Sequence, residues 1–404
     1  MERLQLIGKL AVVTGLLLTL TGCWGRHELN DLAIVLGLGV DQAGDEIKVT
    51  AQVVIPSGVS SNQNKISAAP VTVFNATAPT LFEAIRKLTV SSPRIAFLSH
   101  IRVLVFGEQF AREKGIGEVL DGMMRDPRVR PDYYVTVARR TTAESVLSVL
   151  SMLEKIPADK LYKSLDASAT TWAPTTTVNA DRLMEDMIGP GHSAVVAGVE
   201  IRGNRGGINS NNNLTGVKPE AQLVMNGLGV FRKDKLIGWL SEVESKGYNY
   251  IRDQVDSTMG HIRCEEDKGY IALNTLRSNT KIKTTMNAQS KPQFHVKVET
   301  VSVIASVECK QRIGSMDAIT AMEKKGSEQT NKLMREAVNT VFRKYKVDIF
   351  GFGQELEHKY PKQWAKLKDN WEEQLKDLNI QYDTKFMIKR VGTLDDSFLK
   401  QIKE

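Results

Sequence analysis

The chain has 404 residues, a formal net charge of +7 and a hydrophobic fraction of 42%, with 25% charged residues. This is the composition of an ordinary globular protein that can bury sizeable cores, and its length predicts two or three domains. No segment after residue 22 approaches the 18 uncharged apolar residues of a spanning helix, and nothing resembles a nucleic-acid-binding motif. The sequence therefore excludes a multispan membrane protein and predicts no nucleic-acid partner.

The positive charge is concentrated in the last third of the chain. Residues 263–404 contain 26 Lys and Arg against 20 Asp and Glu. Such an excess could favour an anionic membrane surface. Acidic residues alternate with the basic ones throughout, however, so a solvated surface of mixed charge is the favoured interpretation.

The N-terminus has the pattern of a secretory leader. Arg3 and Lys9 precede an uncharged apolar run from Leu10 to Leu20, which is too short to span a bilayer. The run ends in Leu20-Thr-Gly-Cys23, which resembles the lipobox of bacterial lipoproteins. An ordinary cleaved leader with an incidental cysteine is the alternative. We predict a lipoprotein signal peptide over residues 1–22.

Cys23 is the one predicted site residue. As the mature N-terminus it would carry an S-diacylglycerol group and an N-acyl group. Two or more acyl chains anchor a protein stably, whereas a single chain binds a membrane only marginally. The remaining chain is therefore expected outside the cytoplasm, tethered to a membrane by its first residue.

The first region of the mature chain mixes strands and helices without the strict alternation of a doubly wound sheet. Alternating or continuous apolar runs predict five strands, two of them within Leu32–Pro56, and the others at Val71–Thr77, Ile101–Phe106 and Tyr133–Ala138. Capping patterns and apolar periodicity predict three helices, beginning after Thr80, near Gln109 (to Met124) and after Thr141. Residues 57–70 are polar and predict a loop.

The middle of the chain begins with weakly patterned sequence. Ala158–Val178 is rich in Ser, Thr and Ala and predicts a connecting or surface segment. Gly189-Pro-Gly191 is a strong breaker and marks a boundary. Downstream, the sequence predicts a strand, a mobile polar loop, a hairpin and a helix, at Ala194–Ile201, Gly203–Asn213, Leu228–Trp239 and from Ser241.

The last region has the clearest pattern. Four strands are predicted at Tyr270–Leu276, Thr280–Met286, Phe294–Val307 and Ile380–Lys389, with a long helix over Asp317–Lys344. Pro361 suits the first turn of another helix. That helix places one apolar stripe on a single face, formed by Trp364, Leu367, Trp371, Leu375 and Leu378. We interpret the stripe as core; a surface for a partner helix or a ligand is the alternative.

These patterns together predict an α+β fold. It consists of three mixed domains with largely antiparallel sheets flanked by helices, after the cleaved leader. The predicted domains cover residues 23–190, 191–262 and 263–404.

Cys264 and Cys309 remain after Cys23 is assigned. An extracytoplasmic location permits a disulfide, and both residues lie within or beside predicted strands. Pairing and two free thiols both stay open.

The residue patterns of common catalytic and metal sites are missing from the sequence. The six histidines are isolated, with no His-Glu-x-x-His pair and no zinc-type cysteine spacing, and they are His27, His100, His192, His261, His295 and His358. Gly37-Leu-Gly39 and Gly351-Phe-Gly353 lack the rest of a phosphate loop, and we interpret them as backbone turns. The acidic run at residues 265–267 is interpreted as a solvated loop. We therefore predict no enzyme, no cofactor and no metal.

Three motifs, in order, resemble the Ger(x)C proteins, the C subunits of spore germinant receptors. The first runs from Cys23-Trp-Gly-Arg-His to Gly37-Leu-Gly-Val-Asp41. The second is Asn226–Leu240, and the third combines Asp348-Ile-Phe-Gly-Phe-Gly-Gln354 with Tyr360-Pro-Lys-Gln-Trp364 and Asn370-Trp371. The similarity covers nearly the whole mature chain.

The resemblance implies a lipoprotein on the outer face of the spore inner membrane, with three α+β domains. It also implies a role in nutrient-triggered germination together with an A subunit and a transporter-like B subunit, both integral to that membrane. Cys23 matches the lipidated cysteine, and the family offers no catalytic residue. Direct binding of a germinant is left open.

Two other functions are compatible with a lipid anchor. A solute-binding lipoprotein of an importer would have two lobes of strand–helix units around a cleft, with parallel sheets. The predicted hairpins and the long helix argue against it. A cell-wall hydrolase would need a paired acidic or metal centre, which the sequence does not offer.

Overall fold

A computed structural model describes residues 3, 5–9, 28–56, 69–210, 212–215, 217–264, 268–309 and 313–390. Most of the predicted leader, Cys23 and the acidic run at 265–267 therefore lie outside the described residues. The described chain forms an α+β fold of two mixed sheets with flanking helices, as predicted. Its buried clusters lie entirely within residues 28–390.

The larger sheet has nine strands and a parallel centre. Its strands are β1 (Leu32–Ala43), β2 (Glu46–Val54), β3 (Val71–Ala78), β4 (Ile95–Phe97), β5 (Val103–Gly107), β6 (Tyr134–Ala138), β7 (Val195–Gly203), β8 (Ala221–Arg232) and β9 (Lys235–Trp239). They run in the order β3-β2-β1-β5-β6-β7-β8-β9, and β4 pairs with the start of β1. Strands β1, β5, β6 and β7 are mutually parallel, while antiparallel hairpins form both edges.

Helices cover both faces of this sheet. They are α1 (Leu81–Lys87), α2 (Glu108–Glu113), α3 (Gly117–Arg125), α4 (Ala143–Leu147), α5 (Pro157–Thr171), α6 (Ala180–Ile188), α7 (Asn212–Thr215) and α8 (Glu242–Ile251). One apolar cluster joins the sheet to α1, α2, α3 and α6, and another joins it to α4 and α5. Burial on both faces explains why β5 is a continuous apolar run rather than an alternating one.

The smaller sheet has four strands in sequence order. These are β10 (Thr258–Arg263), β11 (Tyr270–Met286), β12 (Pro292–Val307) and β13 (Asn379–Arg390). Its helices are α9 (Met316–Thr340), which continues as a π-helical turn over Val341–Tyr345, then α10 (Phe352–Lys359), α11 (Pro361–Leu367) and α12 (Trp371–Gln374). Of the eleven pairings between described strands, six are antiparallel and five parallel, so antiparallel pairing predominates less than predicted.

The two sheets pack on each other through one buried cluster. It contains Val195 and Leu228 of the larger sheet and Phe294 of the smaller one, together with residues of α8 and α9. The larger sheet itself includes strands on both sides of residue 190. Within the described residues, none of the helices is both long and apolar enough to cross a bilayer.

Most predicted elements are present, with shifted ends. The hairpin around Gly44, the helix start at Pro361 and the helix start at Ser241 are confirmed. The helix predicted to start near Gln109 is two helices, because Gly115 adopts a positive φ of 92° between α2 and α3. The cap of α4 is Thr142 rather than Thr141.

Four other predictions are wrong in detail. Ala158–Val178 contains most of α5, so it is not simply a connecting segment. The polar segment 203–213 includes a 3-10 turn and a fully buried Asn213, so it is not a featureless loop. The strands predicted at Tyr270 and Thr280 are one strand with two register shifts in its pairing with β12. The helix after Pro361 is interrupted by 3-10 turns at 368–370 and 375–377.

Candidate functional site

Cys23, the predicted lipidation site, lies outside the described residues. The described body begins at Glu28, five residues later, and a 3-10 turn over Leu29–Asp31 leads into β1. The start of β1 pairs with the start of β4, Leu32 opposite Ile95. The described chain therefore enters the larger sheet beside β4.

The first motif forms the contact between β1 and the helices above it. A Cβ on Gly37 would come within 2.7 Å of Leu147 and 3.2 Å of Ala158, so only glycine allows α4 and α5 to approach this strand. The glycines at 37 and 39 lie inside β1, not in a turn as predicted. Asp41 accepts hydrogen bonds from the amides of Ala143 and Glu144 at 2.9 and 3.0 Å. Burial raises the pKa of Asp41, and these two amides oppose the shift.

The second motif carries a half-buried charged network at the end of β9. The Trp239 indole donates to Glu108 at 2.9 Å, and the Arg139 guanidinium lies 4.8 Å from the centre of the Trp239 ring. Arg139 also lies 3.5 Å from a carboxylate oxygen of Glu200 on β7. The network therefore connects β6, β7, β9 and α2.

The third motif surrounds a fully enclosed carboxylate. One oxygen of Asp348 accepts from the amides of Phe350 and Gly351, both at 2.9 Å. The other accepts from the Gly353 amide at 2.8 Å and the Trp371 indole at 3.2 Å. Burial raises the pKa of Asp348, while the Gly353 amide and the nearby His192 act in the opposite direction. Asp348 thus fixes the turn that starts α10, and Gly351 at φ 79° is a turn glycine as predicted.

His192 joins this turn to the larger sheet. One ring nitrogen lies 3.1 Å from the Ile349 carbonyl, and the other lies 3.1 Å from an oxygen of Asp186 on α6. The Ser193 amide donates to the Asp348 carbonyl at 2.7 Å. His192 therefore lies between Asp186 on α6 and the turn that Asp348 fixes. The sequence analysis did not predict that His192 contacts Asp186 and the turn at Asp348. The signal in the sequence was Asp348 itself, a single acidic residue among aromatic residues and glycines.

The tryptophan stripe is core. Trp364 and Trp371 are 3% and 4% exposed, and Leu375 is 1% exposed. The Trp371 ring packs edge-on against Phe294 and Trp364, at centroid distances of 6.5 and 5.4 Å. The core interpretation is confirmed for these residues.

Cys264 and Cys309 form a disulfide, which settles the question left open by the sequence. It connects the end of β10 to the segment after β12. Among the residues that the structure describes, no group of His, Cys, Asp and Glu is arranged to hold a metal ion.

Two family models match this chain, one in each half. "Spore germination protein N-terminal domain" matches residues 25–201, and "Spore germination B3/ GerAC like, C-terminal" matches residues 226–392. These ranges include the second and third motifs entirely and the first from its third residue onward.

Known proteins match along almost their full length. Spore germination protein KC of Bacillus subtilis is 28% identical, covering 96% of both chains. Spore germination protein B3 of the same organism is 24% identical, covering 96% of this chain and 98% of its own. A solved structure titled "Crystal Structure of the GerBC protein" has the same fold, with a TM-score of 0.52 and 18% identity over 87% of this chain and 96% of that one. The chain belongs to the GerAC-like spore germination proteins, the Ger(x)C family that its three motifs resemble.

Proposed function

We propose that this protein is a lipid-anchored, non-catalytic subunit of a nutrient germinant receptor. It acts with the A and B subunits in the membrane and is needed to trigger spore germination. Its place is the outer face of the spore inner membrane, held there by acyl groups on Cys23. The observation that carries the proposal is the match of both family models across nearly the whole chain.

Two features of the chain support the extracytoplasmic location. Leu20-Thr-Gly-Cys23 follows a short apolar run with a basic start. The Cys264–Cys309 disulfide belongs to an oxidising environment, because cytosolic proteins are normally kept reduced. The solute-binding alternative loses support, since the two sheets share a buried cluster instead of facing an open cleft.

The receptor role is tested with a deletion strain complemented by the native gene or by Cys23→Ala. Spores are exposed to a panel of single nutrients, and we expect the deletion to lose the response to at least one of them. Native complementation should restore it, whereas Cys23→Ala should restore it weakly because the chain keeps its leader or leaves the membrane. A normal response of the deletion strain to every nutrient would refute the role.

The anchor has a separate chemical test. Mass spectrometry of the mature protein should find acyl mass on Cys23 and no residue before it. An unmodified N-terminus at another residue would refute lipidation without affecting the receptor role.

The proposal also includes that the protein binds no essential metal. Elemental analysis of the purified protein should find no stoichiometric metal, and chelation should leave germination activity intact. A tightly held ion that is lost together with function would contradict this.

A further inference from the structure

One surface groove lies beside the point where the chain enters β1. It has a volume of about 470 Å³, and its apolar lining includes Phe82 and Ile85 of α1 and Ile95 of β4. Arg86 and Arg128 also line it. We call this feature the β4 groove.

The surface around the β4 groove is both apolar and basic. Val90 is 86% exposed and Ile95 is 46% exposed, which is high for such side chains. Arg86 and Arg94 are exposed, and neither has a carboxylate partner within the part of the chain that the structure describes. Arg128 is paired with Asp126 at 2.7 Å and contributes less free charge.

The chain connection places this surface near any anchor at Cys23. Five residue steps separate Cys23 from Glu28, a reach of at most about 18 Å when fully extended, and the 3-10 turn over Leu29–Asp31 leads from there to Leu32. Leu32 is the direct neighbour of Ile95 in the parallel pair of β1 and β4, so the two backbones are about 4.8 Å apart. A body tethered at Cys23 thus keeps the β4 groove close to the bilayer surface.

We propose that the β4 groove and its rim are the face with which the tethered body rests on an anionic phospholipid bilayer. This inference rests on the lipid anchor in the proposed function. Val90 and Ile95 enter the headgroup layer, and Arg86 and Arg94 bind lipid phosphates. Basic side chains at an anionic surface and inserted apolar side chains both favour such contact. The segment just before β1 contains the acidic residues Glu28 and Asp31, so it adds no net positive charge. The attraction to the bilayer therefore comes from the guanidinium groups of Arg86 and Arg94.

The test supplies the anchor chemically, so its result does not depend on whether the cell lipidates Cys23. Residues 24–404 carry a hexahistidine segment before residue 24 and are held on vesicles with nickel-chelating lipid. A bimane label is placed at Thr89→Cys in the groove or, as a control, at Leu276→Cys, which is 52% exposed on β11. The two native cysteines of the body are paired and do not take the label.

Quenching by dibrominated lipid then reports which face meets the bilayer. In phosphatidylglycerol vesicles we expect strong quenching at position 89, weak quenching at 276, and weaker quenching at 89 in neutral phosphatidylcholine vesicles. Equal quenching at both positions, none at 89, or no difference between the two lipids would overturn the proposal.

The charge contribution has a matched pair of variants. Arg86→Gln/Arg94→Gln should lower partitioning of the untethered body onto phosphatidylglycerol vesicles on the order of tenfold or more. Lys281→Gln/Lys297→Gln removes the same charge from opposed exposed positions of β11 and β12 and should have little effect. An equal loss in both variants would show a nonspecific attraction and refute the assignment of this face. Unfolding midpoints equal to that of the native body verify that each variant is folded.

Discussion

Glu108, the first residue of α2, receives hydrogen bonds from three residues. The Trp239 indole and the Arg112 guanidinium donate to one carboxylate oxygen, and the Arg140 amide donates to the other at 2.8 Å. Burial alone raises the pKa of Glu108, but these hydrogen bonds outweigh it and hold the pKa below its ordinary value of 4.5. The ionised form is therefore the one that the fold stabilises.

A lowered pKa predicts how this contact depends on pH. Its contribution to the free energy of unfolding is fully present above the unfolded pKa, and it is lost as the pH falls through the folded pKa. We expect Glu108→Gln to lower stability at pH 7, with a difference from the native protein that shrinks steadily below pH 4.5. Urea unfolding across this range measures it, with exposed Glu328→Gln as the control. A difference that is constant with pH would contradict the assignment.

The Asp348 environment shows what a sequence conveys about a single residue. Asp348-Ile-Phe-Gly-Phe-Gly marks a turn, and the turn glycine at 351 is predictable because only glycine adopts a positive φ at low cost. The partners of the carboxylate are less accessible, since Trp371 is 23 residues away and His192 comes from before β7. Contacts between distant segments depend on tertiary packing, which periodicity does not encode.

At the scale of elements, the stripe of α11 and α12 was predictable because its apolar spacing is strong. Trp371→Ala removes a 4% exposed ring between Phe294 and Trp364. Truncation of a buried Trp typically costs about 3–5 kcal/mol, so we expect a strongly lowered unfolding midpoint in the body without leader and Cys23. Trp172→Ala, at a ring that is 42% exposed, should cost less. An unchanged midpoint in Trp371→Ala combined with lost germination would instead identify a partner surface.

Helix α5 was missed for the opposite reason. Its buried stripe is narrow and is formed by Pro157, Ala158, Leu161 and Leu165, while Ser, Thr and Ala dominate the rest. The side-chain oxygen of Gln52 on β2 accepts a hydrogen bond from the Ala158 amide at 3.0 Å. A strand that is distant in the sequence therefore caps the start of α5. A cap supplied from more than 100 residues away leaves no local signal.

The Cys264–Cys309 disulfide joins elements that the sequence could place but not pair. It closes a loop with a sequence separation of 45, and loss of such a crosslink typically costs about 2–4 kcal/mol. We expect Cys264→Ser/Cys309→Ser to lower the free energy of unfolding of the body by about that amount, which is seen as a lower urea midpoint. A thiol reductant should lower the native midpoint similarly and leave the double variant unchanged. A reductant effect of equal size in the double variant would mean that the disulfide is not the cause.

At the scale of the whole molecule, the mixture of strands and helices was predictable, but the assembly of the larger sheet was not. Each hairpin has a local signal, such as the turn at Gly44 between β1 and β2. The parallel neighbours β1, β5, β6 and β7 are separated by long crossovers, and their order depends on packing between distant segments. The boundaries near residues 190 and 262 stay predictions, and the nine-stranded sheet contains strands from both sides of the first one.

The contact between the two parts of the molecule depends on a close approach at Gly191. This residue has a φ of 63°, and an added Cβ would collide with the Trp364 ring and lie 2.9 Å from the Cα of Gly353. Gly44 also has a positive φ, of 62°, but an added Cβ there would meet no atom within 4 Å. Both glycines therefore have a backbone conformation that favours glycine. They differ in the space available for a side chain, which is absent at Gly191 and present at Gly44.

Alanine substitutions at Gly44 and Gly191 separate the free energy of the close approach at Gly191 from that of the backbone conformation. Gly44→Ala should cost about 1–2 kcal/mol, the penalty of a left-handed backbone for an L-residue. Gly191→Ala should cost about 1–3 kcal/mol more, because the methyl group forces Trp364 and the Gly353 backbone away from the larger sheet. Urea unfolding of both variants, followed by tryptophan fluorescence, measures the difference. Equal losses would mean that the segment before β7 and the start of α10 can separate without cost.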